Sequence, residues 1–467
     1  MNRHTFINSR KATMMKFRTA LIMTALFTLT ASAARAGLPE NYLKRWDDPA
    51  VQKRIDDGIE KNRKSNAMLT IVDAAGKPIS GAEVKITQTS QDFLFGCNIF
   101  VLGQMKEKEQ AYEDSFLKLF NFATAALYWD DLEPADGKTR FAEGSEFIWR
   151  RPPPDRVVAF GKKHGLTLKG HPLVWHNGAH NPKWMPRDPD VLYERYIRRF
   201  KEIAERYRDD IPIWDGVNES LVCSKDFPLY SGEDRTYQPY VPWAFKEEQK
   251  LFRPENLIMI NDVTTFNWPS NEKNRYYQQC DRLLKNNIPI EGIGFQFHFF
   301  SRKSLDGFMN GDRCDPNTLL DTYEMFAKFG LPLWITEITI GSAGEDGLAI
   351  QERITRDIYR LWFSAPKMAG ITWWNLGDGT AYGNEGQAGG GLADEDFNPK
   401  PAYKALDKLI NHEWKTKLNL KSAADGLVKF RGFHGKYEIQ VTAGGKTKTF
   451  DVNVSAGGPT QTTLKMP

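Results

Sequence analysis

The chain has 467 residues, enough for one large domain with appendages or for two, and a 41% hydrophobic, 26% charged composition excludes disordered and fibrous classes. A formal net charge of only +4, with Lys and Arg scattered among Asp and Glu, removes the extended basic field that nucleic-acid binding needs. Aromatic residues make up 12% of the chain, a supply that serves a large core and the stacking of a ligand's apolar faces equally well.

Residues 1–36 read as a cleavable secretory signal. Arg10, Lys11, Lys16 and Arg18 precede the apolar run ALIMTALFTLTASA, and ARA follows with small residues where a signal peptidase cuts, after Ala36. The run is shorter than the roughly 20 residues of a membrane span. No cysteine stands beside the cut to take a lipid. The expectation is a periplasmic or secreted protein with no membrane anchor. Four cysteines, Cys97, Cys223, Cys280 and Cys314, then reach an oxidising compartment, where one or two disulfides can form. They show no CxxC spacing, and the sequence does not pair them.

Residues 37–92 are predicted to form an exposed, charge-rich helix followed by a β-hairpin around the GKP turn, NAMLTIVDAAGKPISGAEVKITQTSQD. From residue 93 to 412 a regular alternation begins. Eight apolar, β-branched or aromatic runs recur: FGCNIF (95–100), FNFATAALYW (120–129), LTLKGHPLVW (166–175), IPIWDGVNE (211–219), NLIMINDV (256–263), IEGIGFQFH (290–298), LPLWITEITI (331–340) and GITWWNLGD (370–378). Each looks like a strand buried on both faces, and the stretches between them carry apolar residues at helical spacing. This is an α/β pattern of eight strand-helix units, the count of a (β/α)8 TIM barrel. A doubly wound open sheet would carry a Gly-rich phosphate turn after its first strand, and FGCNIFVLG is not one. Residues 413–467 hold four more alternating runs separated by ADG, HG and AGG turns. With the N-terminal hairpin they are expected to form a small accessory β-sandwich, since neither piece alone buries a core. Phe430, Phe433 and Tyr437 are assigned to that core in preference to a carbohydrate surface.

In such barrels the working groups sit at the C-terminal ends of the strands, where the polar residues of these runs collect. They are His171 and Trp175 on strand three, Asn218 and Glu219 on strand four, Gln296 and His298 on strand six, Glu337 on strand seven, and Trp374 after strand eight. Two carboxylates at one barrel mouth suit glycosidic hydrolysis, in which one carboxyl protonates the departing oxygen and the other, ionised, attacks or stabilises the anomeric carbon. Glu219 and Glu337 are the candidate pair. A pyranose has hydroxyls at its edge and C–H faces above and below, which calls for amide, imidazole and carboxylate partners around an indole floor. A metal pair of His171 and His176 lacks helical i, i+4 spacing, and no HxH occurs, so neither a metal nor another cofactor is expected. Lys169, the only lysine inside the barrel runs, lies before the mouth, which speaks against Schiff-base chemistry.

Over residues 93–412 the chain resembles glycoside hydrolase family 10, the retaining endo-β-1,4-xylanases, through KGHPLVWH, WDGVNE, IND, GIGFQFHF, WITEITI, ITWWNLGD and FNPKPAYKAL, all in the family's order. The resemblance implies that Glu219 is the acid/base and Glu337 the nucleophile. Asn218 would hold the sugar's 2-hydroxyl, and His298 would hydrogen-bond Glu337 and help keep it ionised. Gln296 would stand near both carboxylates, while His171, Trp175 and Trp374 bind the same sugar. The implied partner is a polysaccharide or oligosaccharide. The sequence departs from the family at the end of strand two, where ENxxKW grips the next sugar. Here TAALYW puts Ala125 and Ala126 near the Asn and Tyr128 near the Lys. A second family Trp after strand eight is replaced by Tyr382 in the loop GDGTAYGNEGQAGGG. The bond-breaking residues are present while the distal grip is rewritten, so Tyr128 and Tyr382 are expected to contact substrate. A different β-linked plant-type glycan, or a non-catalytic glycan-binding barrel, are the alternatives.

Overall fold

The eight apolar runs close into a parallel barrel. In the computed structural model, which describes residues 37–467 apart from 179, 264–268 and 312–314, two strands come before it, β1 (Lys64–Val72) and β2 (Glu83–Gln88). The barrel strands are β3 (Leu94–Asn98), β4 (Phe122–Ala126), β5 (Thr167–His171), β7 (Ile213–Asn218), β8 (Leu257–Val263), β9 (Gly292–Phe299), β10 (Leu333–Ile340) and β11 (Met368–Trp373). Each pairs in parallel with the next, and β11 returns to β3 to complete the ring. The run LTLKGHPLVW, expected as one strand, is two: β5 ends at His171 and a two-residue β6 (Val174–Trp175) follows. Pro172 has no N–H to continue the ladder. The shift sets Trp175 opposite Asn218 of β7.

Helices cover the barrel because their apolar stripes face it. In Pro189–Tyr207, the Asp188 side chain accepts from Asp190 N and Val191 N, proline opens the first turn, and Leu192, Tyr196, Phe200, Ile203 and Tyr207 are buried. The predicted exposed helix of residues 38–65 is instead two helices, Glu40–Trp46 and Pro49–Arg63, docked on the barrel. Tyr42, Trp46 and Ile55 are fully buried. Gly58 allows the close approach, since a Cβ there would lie 2.7 Å from the Ser364 carbonyl oxygen. The charge-rich composition hid this face because each apolar residue stands alone among polar neighbours, one turn apart.

The predicted hairpin is also corrected. β1 and β2 lie in different sheets: β1 runs between β13 (Leu427–Phe433) and β16 (Thr460–Lys465), and β2 between β12 (Lys417–Lys421) and β14 (Gly435–Ala443), with β15 (Lys446–Val454) beyond. The segment joining β1 to β2 crosses between sheets, so their apolar faces meet through the sandwich core rather than their edges through hydrogen bonds. Leu69, Ile71, Val84 and Ile86 pack there with Phe430, Tyr437, Ile439 and Val441. Phe433 is buried too, but against the barrel core.

Residues 1–36 and Cys314 lie outside the described residues. Cys97, Cys223 and Cys280 are free, buried thiols. Among the described residues no helix is long and apolar enough to cross a membrane.

One buried group on this scaffold yields a stability prediction. Glu248, on the helix Tyr240–Leu251, is fully buried, and neither carboxyl oxygen has a hydrogen-bond partner among the described residues. Burial pushes it up to about 8. Its carboxyl occupies the space left by Gly216 of β7, where a Cβ would sit 2.5 Å from Glu248 Oε2. A raised acid stabilises the fold below its unfolded-state value and loses that contribution as pH rises through about 8. Glu248→Gln should therefore gain a few kcal/mol over the parent at alkaline relative to acid pH. Urea unfolding of both proteins at the two pH values measures it, and a pH-independent difference would contradict it.

Candidate active site

The C-terminal mouth of the barrel opens into a cleft of about 710 Å³. Glu219 and Glu337 line it, together with Tyr128, His171, Trp175, Gln296, His298, Trp374 and Tyr382. Asn218 lies just beneath, 2% exposed. Glu219 follows the last residue of β7 and adopts a left-handed φ of +56°, its N–H donating to the Asn261 carbonyl at 2.8 Å. Register shifts in β7 and β10 fall just before Asn218 and at Glu337, the kind of irregularity that re-aims side chains at a barrel rim.

A chain of amides joins the two carboxylates. Gln296 Nε2 donates to Glu219 Oε1 at 3.0 Å and to Asn218 Oδ1 at 3.1 Å. Asn261 Nδ2 donates to the same Asn218 oxygen at 2.8 Å and to Glu337 Oε1 at 3.3 Å. Thr336 Oγ1 fixes Asn261 by donating to its Oδ1 at 2.6 Å. With its oxygen occupied, Asn218 keeps a buried Nδ2 that has no partner among the described residues, a donor ready for a ligand oxygen.

Each carboxylate has further partners. Trp175 Nε1 donates to Glu219 Oε2 at 2.9 Å, so this indole, expected against the sugar, orients the Glu219 carboxyl. His298 Nε2 lies 3.2 Å from Glu337 Oε2, and its Nδ1 lies 3.0 Å from Thr339 Oγ1. Burial pushes His298 down to about 4. The imidazole is therefore neutral at ordinary pH, and towards an ionised Glu337 it can donate Nε2–H while Nδ1 accepts from the Thr339 hydroxyl. It supports the carboxylate by a hydrogen bond, not by a charge.

Beneath Glu337 lies a buried polar stack. Lys169 Nζ and His171 Nδ1 both approach Asp215 Oδ2 at 2.6 Å, and His171 Nε2 lies 3.8 Å from Glu337 Oε1. Burial works against the Asp215 charge, yet Lys169 and His171 hold it below the usual carboxylate range. For Glu337 burial wins: it pushes the carboxyl up to about 7, with His171 and Lys169 opposing and Glu219 adding to the rise.

Trp374 is 3% exposed and meets His171 edge-on at 5.6 Å and Phe100 at 5.2 Å. Tyr128 packs against Trp175 at 5.2 Å and His180 at 4.8 Å, filling the wall beside the buried Ala126. Tyr382 is half exposed on the Gly-rich loop. Trp184 donates to the Glu133 carbonyl at 2.8 Å and pins the loop that follows β6. His176 stacks on Phe227 at 4.3 Å and does not converge with His171. Among the described residues one acidic group with a histidine, Asp130, Asp131 and His180, brings ligand atoms within 4.8 Å of one another. Asp131 is already held by Arg151 at 2.6 Å.

Sequence reasoning missed Arg150, Arg151 and Glu385, which also line the cleft. It also gave no role to Asp215 or Asn261, although both lie within motifs it had found. The doublet before PPP in WRRPPP was the available signal for the arginines.

A (β/α)8 barrel with two carboxylates tied together at its C-terminal mouth is a scaffold for acid-base work on a ligand bound across the rim. The chain belongs to glycosyl hydrolase family 10, whose sequence profile matches residues 87–409. Among curated relatives it is 24% identical over 459 residues to the anti-sigma-I factor RsgI6 of Acetivibrio thermocellus, covering 96% of this chain and 54% of that protein. It is 24% identical to endo-1,4-beta-xylanase 5 of Arabidopsis thaliana, covering 88% and 67%, and 27% identical to endo-1,4-beta-xylanase B of Thermotoga neapolitana, covering 66% and 85%. The chain thus spans about half the length of the first of these relatives. The solved xylanase 10B of Thermotoga petrophila, in complex with xylobiose, shares the fold at a TM-score of 0.55 and 24% identity, over 69% of this chain and 95% of that one.

Proposed function

We propose that the protein is a retaining glycoside hydrolase that cleaves β-1,4-linked xylan or xylo-oligosaccharides by double displacement. The observation that carries this reading is the amide chain from Glu219 through Gln296, Asn218 and Asn261 to Glu337. It holds two carboxylates in one frame while leaving Asn218 Nδ2 free for a sugar hydroxyl. The xylanase names of the relatives support the substrate.

In the first step Glu337 attacks the anomeric carbon while Glu219 gives its proton to the departing oxygen. The glycosyl ester on Glu337 is then cleaved by water, whose proton Glu219 takes. His298 and Asn261 steady the Glu337 carboxylate before attack, and Trp374 supports the apolar face of the ring. Ala125, Ala126 and Tyr128 favour one variation on this reading, a different β-linked glycan on the same machinery, because they remove polar grips for the next sugar. We also place the enzyme outside the cytoplasm, on the leader-like residues 1–36, and give the sandwich a structural role on its buried aromatics.

The test is proton NMR of the first product released from xylan. A β-anomer at early times is expected, and an α-anomer would exclude double displacement. The pH profile supplies a second test. Glu337 must be ionised to attack, so kcat/KM should fall as pH is lowered through about 7, with one proton taken up. A profile flat from pH 8 to pH 5 would contradict the assigned nucleophile.

A further inference from the structure

The loop after β4 delivers two consecutive arginines to the cleft, and the hydrolytic steps give them no task. Neighbouring residues of an extended chain point to opposite sides. Here Arg150 takes a left-handed φ of +63°, and its N–H is clamped by Gln104 Oε1 at 2.7 Å while Gln104 Nε2 holds the Ile148 carbonyl at 2.9 Å. Three prolines, Pro152, Pro153 and Pro154, follow at once. A non-glycine residue held in this region at a binding cleft is strained backbone maintained by its surroundings. Both side chains consequently line the cleft, each only 5% exposed.

The two guanidinium groups differ in how well they are matched. Arg151 stacks 4.1 Å over Tyr128, donates through Nε to Asp131 at 2.6 Å and through Nη1 to the Arg150 carbonyl at 2.9 Å. Its charge is answered. Arg150 lies 5.0 Å over Tyr382 and 5.7 Å over Phe100, the ring that touches Trp374, and its Nη2 donates to Asn375 Oδ1 at 2.7 Å. The one carboxylate near it, Glu385, is 3.6 Å away and already accepts from Asn375 Nδ2. No hydrogen bond to a described residue uses Arg150 Nη1, and its buried Nε has no partner among the described residues. A guanidinium removed from water beside only one long ion pair, to a carboxylate already shared with Asn375, is incompletely compensated, and its planar fork matches a carboxylate.

The position of this fork says which sugar it would meet. Glu219 protonates the departing oxygen, so the leaving group lies toward β7. Arg150 stands across the mouth, beside the residues that follow β3, β4 and β11. That is the side of the sugar retained on the enzyme and of its non-reducing neighbour. There Ala125 and Ala126 offer no hydrogen-bonding side chain.

Resting on the hydrolase reading above, we propose that Arg150 binds the carboxylate of a uronate-bearing sugar on the non-reducing side of the cleaved bond, with Arg151 and Tyr128 forming the wall behind it. The preferred substrate is then an acidic glycan rather than a neutral xylan.

The experiment compares kcat/KM for neutral xylotetraose, a xylo-oligosaccharide branched with glucuronic acid near its non-reducing end, and a linear oligosaccharide with a uronate within its backbone. Preference for the branched or for the linear acid identifies where the carboxylate is carried, and either supports the proposal. In Arg150→Met the acidic-to-neutral ratio should drop at least about ten-fold, the scale of a hydrogen bond to a charged group. Arg150→Lys, which keeps charge but not the fork, should fall between. Glu385→Gln, which removes the competing carboxylate, should raise the ratio. Circular dichroism and thermal unfolding establish that Arg150→Met is folded, and if it is not, Arg150→Lys and Glu385→Gln decide. A wild type that prefers the neutral substrate, or Arg150 variants that slow both substrates in proportion, would overturn the proposal. If nothing is cleaved, the hydrolase reading fails on its own. Calorimetry of the acidic oligosaccharides then still decides: binding lost in Arg150→Met supports the fork, and equal or absent binding refutes it.

Discussion

Glu337→Ala is expected to abolish hydrolysis of every substrate, polymeric or activated, with kcat down by on the order of 10⁴-fold or more, because the proposed double displacement needs its carboxylate to form the glycosyl ester. Glu219→Ala should behave differently. On xylan, where the departing alcohol needs a proton, kcat/KM should fall on the scale of general acid catalysis, about 10²–10⁴-fold. On aryl glycosides whose leaving group departs unaided, kcat/KM should change little, while kcat falls because water lacks its base in the second step. Added azide should restore kcat in Glu219→Ala and give a β-glycosyl azide, since a small anion needs no proton removed and fits the space of the missing side chain. Equal loss on both substrate kinds, or azide rescue giving the α-product, would count against these roles. Trp175 and Gln296, which hold the two Glu219 oxygens, tie this carboxyl to the floor of the cleft.

Glu337→Gln should stabilise the protein at alkaline pH while silencing it. The unfolded-state carboxyl titrates near 4.5 and burial pushes the folded one up to about 7. Sign follows from which state holds the proton more tightly. Below 4.5 both states are protonated and the folded protein carries no ionisation penalty; as pH rises through about 7 the buried carboxylate must form, and stability is lost. At ~1.36 kcal/mol per pH decade, that gap amounts to roughly 3 kcal/mol. Glutamine resembles the protonated acid and cannot ionise. Urea unfolding should therefore find the variant more stable by about 3 kcal/mol at pH 8 and nearly equal to the parent at pH 4. A variant less stable than the parent at pH 8 would mean that hydrogen bonds from Asn261 and His298 to the carboxylate outweigh its desolvation.

Both expectations rest on a site in which the Glu337 carboxyl, the proposed nucleophile, is kept poorly solvated. Asp215, across the His171 ring from Glu337, is held ionised by Lys169 at 2.6 Å and by His171, whereas Glu337 faces a neutral imidazole and an amide. The same residue type thus meets two environments on adjacent layers of one barrel, and the layer nearer the cleft carries the weaker compensation.

The barrel and its two carboxylates were legible in the sequence alone. Strand runs buried on both faces, amphipathic stretches between them and polar residues at the strand ends are local patterns, set by side chains a few residues apart. Asn218 and Glu219 stand at the end of their run for the reason any polar pair at a barrel mouth does: the strand stops being core there. The hairpin failed because alternation says that a segment is a strand and not which strand it pairs with; β1 and β2 found partners more than 300 residues away. The docked helices at residues 40–63 were read as exposed because their apolar residues are outnumbered, and only the Ser364 surface shows what the stripe faces.

At the site, residue identity was enough to nominate Glu337, His298 and Trp175, but their chemical states belong to the tertiary structure. The neutrality of His298, the raised proton affinity of Glu337 and the indole bond to Glu219 arise from desolvation and from contacts between strands distant in sequence. Arg150 and Arg151 received no role from the sequence, where they stand before three prolines. A left-handed turn at Arg150 and a glutamine clamp from the loop after β3 put both inside the cleft, and no local pattern encodes that, because the clamp and the turn it holds are 46 residues apart.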